Sequence, residues 1–372
     1  MRMLTEMTSA KNILWNLEPH TLGKHLVLRA YLDAWFPILS SWKKRILFID
    51  GFAGPGEYKG GEEGSPVIAM RALVDHTAKI EAEVVFFFIE IEAGRAQHLE
   101  SITQQWKSKL PSNAIPHVIT GRFDETMEEV LGNLDEQRRR IAPAFVMIDP
   151  FGVAGTPMSV VRRILGNPQC EVYFSLMYEP MNRFRNTPEF ENHLDELFGC
   201  PDWRAIVEIE DSEQRRRGLY DLYERQLRAG GANYVVHFDI YSGSRLIYSI
   251  FFATRNDVGC DKMKAAIWKV APEGTYEFRG THGGQLALSL EPSFEPLKMQ
   301  LLDEFGDGRW YPIEVIQKIL RPDKTDYHSG QLKTNTLSPM EADGLVEVDP
   351  SSRQRAFKYP KGSRLRFVRQ GQ

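Results

Sequence analysis

The stretch FIDGFAGPGEYKGGEEGSP, Phe48 to Pro66, is the strongest local signal in the sequence. An apolar run ends at Asp50, a glycine-rich turn follows, and a helix is expected to begin near Ser65. Glycine permits positive φ angles and lets a ligand approach the main chain closely. The stretch has neither the GxGxxG of dinucleotide-binding loops nor the Lys-Ser/Thr of a phosphate loop. It predicts a strand, a ligand-binding loop and a helix in succession, with a purely structural glycine turn as the alternative.

Short apolar runs alternate with helical segments on both sides of this stretch. The expected strands are RILFID (Arg45–Asp50), VVFFFIE (Val84–Glu90), HVITG (His117–Gly121), AFVMIDP (Ala144–Pro150), EVYFSLM (Glu171–Met177), NYVVHFDIY (Asn233–Tyr241) and RLIYSIFFAT (Arg245–Thr254). Near-continuous apolar strands separated by helices indicate a parallel sheet covered on both faces. Only three residues separate the last two runs, so these must form an antiparallel hairpin. The predicted class is α/β, a mostly parallel seven-stranded sheet ending in that hairpin, which resembles the Rossmann-like class I methyltransferase fold.

Acidic residues follow the second and third expected strands. Glu90 closes the second strand and Glu92 lies two residues further on. A carboxylate at this position of an open α/β sheet accepts the ribose hydroxyls of a nucleotide cofactor. Both side chains share a face, and Glu90 is preferred because it is nearer the strand end; an exposed strand-end acid is the alternative. Phe123 and Asp124 stand where the adenine would lie, although Asp124 could equally cap a helix.

The fourth strand ends in IDPFG, Ile148 to Gly152. This resembles the polar-Pro-Pro-aromatic motif of amino-methyltransferases and, with its single Pro, is closer to the Asp-Pro-Phe-Gly of tRNA guanine dimethyltransferases. The resemblance implies that Asp149 and the Pro150 carbonyl accept hydrogen bonds from a target amine while Phe151 stacks on the base. The chemistry is an in-line displacement, so such a site mainly positions the amine. A simple strand-end turn is the alternative.

The glycine-rich turn from Asp50 to Gly56, the glycine loop, has the form Asp-x-Phe-Ala-Gly-x-Gly. This form resembles the S-adenosylmethionine loop of nucleic-acid amino-methyltransferases. Upstream, EPHTLGKHLVL (Glu18–Leu28) is similar to the His…Lys-His segment of ribosomal-RNA adenine methyltransferases, in which Lys24 would neutralise the cofactor carboxylate. His20 and His25 would line the substrate cleft; they are five residues apart and lack a third ligand, so no metal is expected. The residues expected to hold S-adenosylmethionine are Lys24, Asp50, Phe52, Ala53, Gly54, Gly56, Glu90, Phe123 and Asp124.

The pattern changes from about Phe294. Three short helical segments and a basic strand pair around Arg353–Arg366 are typical of a winged helix, a variant of helix-turn-helix. Residues 350–372 contain seven basic residues, Arg369 among them, and no Asp or Glu, which favours binding of a polyanion. The residues expected to bind nucleic acid are Arg353, Arg355, Lys358 and Arg364. A solvated charged surface is the alternative.

Three domains are expected from this organisation. They are an N-terminal helical lead over residues 1–44 that packs on the core, a methyltransferase-like domain over 45–290 with a helical insertion at about 179–232, and a winged-helix-like domain over 294–372.

Length and composition exclude several classes of protein. The chain has 372 residues, 42% of them apolar and 26% charged, with a net charge of -4, so disordered and collagen-like classes are excluded. Three scattered cysteines exclude a disulfide scaffold and fit a reducing cytoplasm. No apolar run reaches the roughly 18 residues of a membrane span, and the opening residues lack the apolar core of a signal peptide. A cytoplasmic protein without membrane contact is therefore expected.

Several long stretches between residues 14 and 270 resemble one known family, the three-Cys-motif partner (TcmP) proteins. These stretches are EPHT, KH, YLDAWF, FIDGFAGPGEYKGGEEGSP, FFFIE, MIDPFG and FATRNDVGCDKMKAAIWKV. The resemblance implies a neighbouring iron–sulfur-type protein with a three-cysteine motif, similar to radical enzymes, as partner.

The sequence thus predicts an S-adenosylmethionine-dependent methyltransferase acting on an exocyclic amine of a nucleic-acid base, RNA rather than DNA, together with that partner. A duplex base would have to be flipped out to reach the site. The alternative is a non-catalytic, methyltransferase-like adaptor that docks the partner on nucleic acid. A nuclease would need a metal-binding strand, whereas EYKGGEEG (Glu57–Gly64) lies in a loop.

Overall fold

A computed structural model describes residues 13–184, 187–280 and 292–368. Arg369 lies outside them. The described chain divides into two compact units. The first contains the residues up to Asn256 together with 277–280, and the second contains 257–276 and 292–368.

The first unit is built on one sheet flanked by helices. Its strands are β1 (Arg45–Asp50), β2 (Glu83–Glu90), β3 (Ala114–Thr120), β4 (Ala144–Ile148), β5 (Cys170–Leu176), β6 (Tyr234–Ser242), β7 (Arg245–Thr254) and β8 (Glu277–Phe278). Its helices are α1 (Thr21–Ser40), α2 (Ser65–Val74), α3 (Ala93–Trp106), α4 (Phe123–Glu136), α5 (Met158–Leu165), α6 (Tyr178–Phe184), α7 (Pro188–Phe198), α8 (Trp203–Val207) and α9 (Ser212–Ala229).

The sheet confirms the predicted fold class. Its strand order is β3-β2-β1-β4-β5-β7-β6-β8; β1 to β5 run parallel, and β7 is antiparallel to both of its neighbours. This is the order of the Rossmann-like class I methyltransferase fold. The count of seven strands was one too low, because Glu277–Phe278 adds an eighth strand, parallel to β6. Two residues are too few to show an apolar period, so this strand could not be recognised from the sequence.

The order of the strands reverses between β1 and β4, which are neighbours in the sheet. Ligands of open α/β sheets bind beyond the carboxyl ends of the strands at such a reversal. The ends of β1 and β4 carry Asp50 and Asp149 respectively, so the topology brings the glycine loop and IDPFG to one edge of the sheet.

The central strands are apolar throughout because both faces of the sheet are covered. Every residue of β4 and β5 is buried, and the rings of Phe48 and Phe145 stack at 5.7 Å between their centroids. The one acid within these two strands is Glu171, whose carboxylate accepts hydrogen bonds from the Tyr31 hydroxyl at 2.7 Å and the Thr254 hydroxyl at 2.9 Å. These two bonds compensate for its burial.

The segment between β5 and β6 is helical, as its composition indicates. Its longest helix, α9, packs against α5 and against the sheet at β6 and β7. Tyr223 lies 5.4 Å from Phe251 of β7, and the Tyr220 hydroxyl lies 2.7 Å from that of Ser249. This helix therefore completes the apolar core on one face of the sheet.

The second unit combines helices with a small antiparallel sheet. Its elements are α10 (Asp257–Val270), α11 (Glu295–Phe305), β9 (Tyr311–Pro312), α12 (Ile313–Leu320), a 3-10 turn at Ser329–Gln331, a π-helical turn at Leu332–Leu337, α13 (Ser338–Ala342), β10 (Val346–Val348), a 3-10 turn at Pro350–Ser352 and β11 (Arg364–Phe367). The strand order is β10-β11-β9. The strand pair expected around Arg353–Arg366 is wrong in its first member: β11 pairs with β10, and residues 349–363 form the loop between them.

The second unit also includes α10, which the sequence grouped with the sheet domain. The buried ammonium of Lys264 on α10 donates hydrogen bonds to the carbonyls of Leu320, Pro322 and Thr325, and the Trp268 indole donates one to that of Asp326. These bonds attach α10 to the loop after α12. The domain boundaries expected from the sequence, and the winged-helix type of this unit, stay predictions.

Candidate functional site

A cavity of about 210 Å³ lies at the reversal of strand order. The N-terminal segment, α1, the glycine loop, the loop after β4 and β7 form its walls. It is lined by Trp15, Asn16, Glu18, His20, Thr21, Lys24, His25, Phe52, Ala53, Gly54, Pro55, Gly56, Glu57, Tyr58, Gly64, Ser65, Asp149, Pro150, Phe151, Met177 and Tyr248. The structure therefore brings together the glycine loop, the Lys24 segment and IDPFG.

The glycine loop is folded tightly against α3 and the start of α2. Gly54 and Gly56 have φ angles of +61° and +87°, which other residues rarely adopt. A Cβ atom on Gly56 would lie 2.6 Å from the Leu99 side chain. The Gly64 N–H donates to the Gly56 carbonyl at 2.8 Å, and a Cβ on Gly64 would lie 2.9 Å from that carbonyl. Both backbone angles and close packing thus require glycine here.

Glu90 and Glu92 have different roles in the structure. Glu92 caps α3, accepting hydrogen bonds from the N–H groups of Gly94 and Arg95 at 3.1 and 2.7 Å. Glu90 is buried and accepts from the N–H groups of Gly54 and Glu92, each at 2.9 Å. The carboxylate preferred from the sequence therefore holds the glycine loop to the end of β2, and it lies behind the lining of the cavity rather than in it.

Asp50 is fully buried at the end of β1. Its Oδ1 accepts the Phe52 N–H at 3.1 Å, whereas its Oδ2 has no hydrogen-bond partner among the described residues. Burial raises the pKa of Asp50 to about 7, against the opposing effects of the nearby Ser65 hydroxyl and the Phe52 N–H. Such a carboxyl group changes its charge near neutral pH.

Phe123 and Asp124 also lie outside the lining of the cavity. Phe123 is 2% exposed and belongs to the apolar core, where its ring packs 5.7 Å from that of Phe52. The Phe123 ring also packs directly against Gly51. A Cβ atom on Gly51 would lie 2.4 Å from that ring, so there is no room for a side chain at this position. Asp124 pairs with the Arg122 guanidinium at 2.6 Å and does not cap α4, which begins after Arg122.

Asp149 forms an ion pair with Lys24, 125 residues away in the chain. Burial works to raise the pKa of Asp149, but the Lys24 ammonium outweighs burial and holds that pKa below its ordinary value. The carboxylate is therefore ionised at neutral pH and accepts hydrogen bonds only.

The position of Lys24 is set by how α1 packs. Gly23 allows close contact with β8, because a Cβ there would lie 2.4 Å from the Phe278 ring. The Tyr173 hydroxyl of β5 donates to the Lys24 carbonyl at 3.1 Å. These contacts fix the backbone that carries the ammonium, which pairs with Asp149 in the structure. The role expected from the sequence, neutralising a cofactor carboxylate, stays a prediction.

The two residues after Asp149 differ in exposure. Pro150 is buried, whereas the Phe151 side chain is 76% exposed at the mouth of the cavity. The edge of the Trp15 ring approaches Phe151 at 5.6 Å between centroids, and the Arg95 guanidinium lies 4.8 Å from the Trp15 ring. An exposed aromatic ring beside an ionised acceptor is able to stack on a planar ligand.

His20, the N-cap residue of α1, and His25, within α1, both line the cavity. Burial, together with the nearby Lys24 charge, lowers the pKa of His25 to about 3. Burial also lowers the pKa of His20. Both imidazoles are therefore neutral at pH 7, and the ammonium of Lys24 remains the positive charge beside Asp149.

Three aromatic residues of the lining were missed by sequence reasoning: Trp15, Tyr58 and Tyr248. Trp15 reaches the glycine loop through its carbonyl, which accepts the Lys59 N–H at 2.9 Å. Tyr248 lies on β7 with its ring 5.3 Å from the Lys24 ammonium nitrogen. Tyr248 resembles any aromatic residue of a buried strand, so only the fold reveals its position.

The predicted nucleic-acid-binding residues lie in the second unit, on the β10–β11 loop and at the start of β11. The Arg353 guanidinium forms two hydrogen bonds with the Glu341 carboxylate of α13, so it is engaged within the unit. Arg355, Lys358 and Arg364 are exposed. Arg355 and Lys358 form no ion pair among the described residues.

Two general findings bear on the kind of site. Within the described ranges, no three His, Cys, Asp or Glu side chains lie close enough to hold a metal ion. Of the helices formed by these residues, none is both long and apolar enough to span a bilayer.

Comparisons with known proteins find only distant structural likenesses. No protein-family model and no curated protein matches this chain. Trm1 from Pyrococcus horikoshii, solved with S-adenosyl-L-methionine, is similar over 96% of this chain and 93% of its own, with 11% identity and a TM-score of 0.39. Human methyltransferase-like protein 13, solved with SAH, is similar over 74% and 100%, with 12% identity and a TM-score of 0.36. A Bacillus cereus O-methyltransferase, also with SAH, is similar over 64% and 82%, with 15% identity and a TM-score of 0.34. The strand order itself, rather than these distant likenesses, identifies the fold as that of S-adenosylmethionine-dependent methyltransferases.

Proposed function

We propose that the chain is an S-adenosylmethionine-dependent methyltransferase that acts on an exocyclic amine of a nucleic-acid base, in RNA rather than DNA. The observation that carries this proposal is Asp149: an ionised acceptor at the end of β4, paired with Lys24 and followed by the exposed ring of Phe151. The glycine loop lines the same cavity.

The residues present fit the cofactor. The loop offers a glycine-lined approach at Gly54 and Gly56, and Asp50 Oδ2 is a buried oxygen without a partner among the described residues. Lys24 supplies an ammonium group for a carboxylate, and Glu90 supplies carboxylate oxygens beside Gly54. Phe52, Ala53, Phe123 and Asp124 complete the proposed binding region. S-adenosylmethionine, when bound, supplies a methyl group activated by its sulfonium.

The chain's own contribution is to position the amine. Asp149 accepts an N–H of the target amine, the Pro150 carbonyl accepts the other, and the ring of Phe151 stacks on the base. Two acceptors orient the amine lone pair away from the protein's own oxygens and towards the methyl donor. Because the pKa of Asp149 is held low, the acceptor stays charged throughout the physiological pH range.

The test is methyl transfer from labelled cofactor to total RNA and total DNA. We expect Asp149→Ala to abolish transfer while calorimetry still detects S-adenosylmethionine binding. Asp135→Ala, a matched change in an acid that is 74% exposed on α4, should leave both unchanged. Retained transfer by Asp149→Ala would remove Asp149 from the mechanism.

A second candidate function is a non-catalytic adaptor that places a partner on nucleic acid. The ion pair favours it, since Lys24 already occupies the carboxylate of Asp149 that would receive the amine. Calorimetry distinguishes the two functions, because an adaptor has no need to bind S-adenosylmethionine.

We also propose the three-Cys-motif iron–sulfur-type protein as the partner, on the strength of the stretches that resemble the TcmP family. The second unit, as a winged-helix-like domain, would bind the nucleic acid. Copurification of the two proteins, with transfer measured in the presence and absence of the partner, tests this pairing; no association would contradict it.

A further inference from the structure

The tip of the β10–β11 loop carries an aromatic side chain in an unusual backbone conformation. Phe357 has a φ angle of +55° and a side chain that is 48% exposed. A non-glycine residue in the left-handed region is held there by its surroundings, and such positions are concentrated at functional sites. No aromatic ring of the described residues packs on that of Phe357.

A cluster around Glu341 fixes the loop on both sides of this residue. The Glu341 carboxylate accepts hydrogen bonds from the Arg353 guanidinium, four residues before Phe357, and from the Tyr359 hydroxyl at 2.7 Å, two residues after it. The Lys333 ammonium donates to the Tyr359 carbonyl. The backbone is therefore fixed while the ring projects into solvent, so little conformational entropy remains to be lost when the ring binds.

Unpaired positive charge surrounds the ring. Arg355 and Lys358 are exposed and have no ion pair among the described residues, and no acid occurs from Pro350 to Gln372. Beside them is a groove of about 760 Å³. Its walls carry cationic, hydroxyl and amide groups, from Lys333, Ser351, Ser352, Arg353, Gln354, Arg355, Lys358, Tyr359 and Pro360.

We propose that this loop tip binds single-stranded nucleic acid, with Phe357 stacking on an unpaired base and Arg355 and Lys358 contacting the adjacent phosphates. Stacking on aromatic rings within a basic groove is how proteins bind single strands without sequence preference. In a duplex the bases are stacked on one another, so a protein reaches only their edges. The aromatic ring of Phe357 can stack only on a base whose face is exposed, as in a single strand. A membrane surface fits less well, because one exposed ring offers only a small apolar area for insertion.

This proposal names the form of the substrate and so rests on the proposed nucleic-acid function, but its test is independent of methyl transfer. Fluorescence anisotropy of the full chain with a labelled oligouridylate, without cofactor, measures binding alone. We expect Phe357→Ala to weaken binding about 5- to 100-fold and Phe357→Trp to retain it. Arg355→Ala and Lys358→Ala should each reduce the slope of log affinity against log salt by roughly 0.7.

Met299→Ala is the matched control, since Met299 is a 56% exposed apolar residue of the same unit and should bind as the unaltered chain does. Because anisotropy is measured without cofactor, a failure of methyl transfer and a failure of binding are distinguishable. Equal affinity of Phe357→Ala and the unaltered chain would overturn the proposal. Tighter binding of the chain to duplex than to single strands would also overturn it. A third contradicting result would be that Phe357→Ala loses binding to phosphatidylserine vesicles but keeps its affinity for the oligouridylate.

Discussion

Two buried lysines, one in each unit, have opposite surroundings. Lys264 on α10 is fully buried, and its ammonium donates to three backbone carbonyls. Lys24 on α1 is 6% exposed and pairs with a single carboxylate that lines a cavity. All three N–H groups of the Lys264 ammonium donate to backbone carbonyls of the fold. The ammonium of Lys24 instead pairs with a carboxylate, which an anionic ligand in the cavity could replace. Burial alone therefore does not identify a functional lysine; the kind of partner and the presence of a cavity do.

The largest effect is expected from Lys264→Met. The change leaves three buried carbonyl oxygens without their donor, and each lost partner costs about 1–3 kcal/mol. We expect the free energy of unfolding of the second unit to fall by about 3–5 kcal/mol, measured by urea denaturation. Lys262→Met is the matched control on the same helix: among the described residues the ammonium of Lys262 pairs with the adjacent Asp261 alone, at 3.3 Å, so little change is expected. Equal losses in the two variants would contradict the distinction drawn for Lys264.

Lys24→Met should cost somewhat less, about 2–4 kcal/mol at pH 7, because it leaves one charged carboxylate without its cation. In the unaltered chain the folded pKa of Asp149 is lowered, so its stabilising contribution is present above the unfolded pKa and is lost as pH falls through the folded pKa. The difference between variant and unaltered chain should accordingly shrink in acid. The double variant Lys24→Met, Asp149→Asn should recover part of the loss at pH 7; a pH-independent difference would exclude the ion pair as its cause.

Asp50→Asn tests a buried carboxyl group that forms no ion pair among the described residues. The folded pKa of Asp50 is raised to about 7, so the stability contributed by its protonated form is lost as pH rises from about 4 through 7. The neutral amide avoids this loss, and we expect the variant to be about 1–3 kcal/mol more stable than the unaltered chain at pH 8 and equal to it at pH 3. Thermal unfolding across this range measures the effect. A constant difference would show that Asp50 does not titrate as inferred.

The sequence was sufficient to locate strands β1 to β7 of the large sheet and the hairpin between the last two of them. β1 and β7 begin and end as predicted, at Arg45–Asp50 and Arg245–Thr254, because glycine- or serine-rich turns border apolar runs there. The three-residue link before β7 also determined the antiparallel hairpin. Local signals of this kind depend on neighbours in the chain and so can be recognised without coordinates.

Long-range partners could not be predicted in the same way. Lys24 was expected opposite a cofactor carboxylate, yet it pairs with Asp149, because the packing of α1 on the sheet decides which charges meet. Arg353 looked like one of several equivalent basic residues, but Glu341 of α13 engages it within the unit. Side-chain chemistry alone did not distinguish it from Arg355. Such pairings follow only from the assembled fold.

The strand order has a consequence for self-association. β3 forms one margin of the sheet, and its third residue, Pro116, has no N–H to offer an incoming strand. At the other margin, the last described strand is β8, which is two residues long. Short strands and prolines at sheet margins discourage edge-to-edge aggregation between molecules. A long, strongly apolar sheet is thereby kept from polymerising through its own backbone.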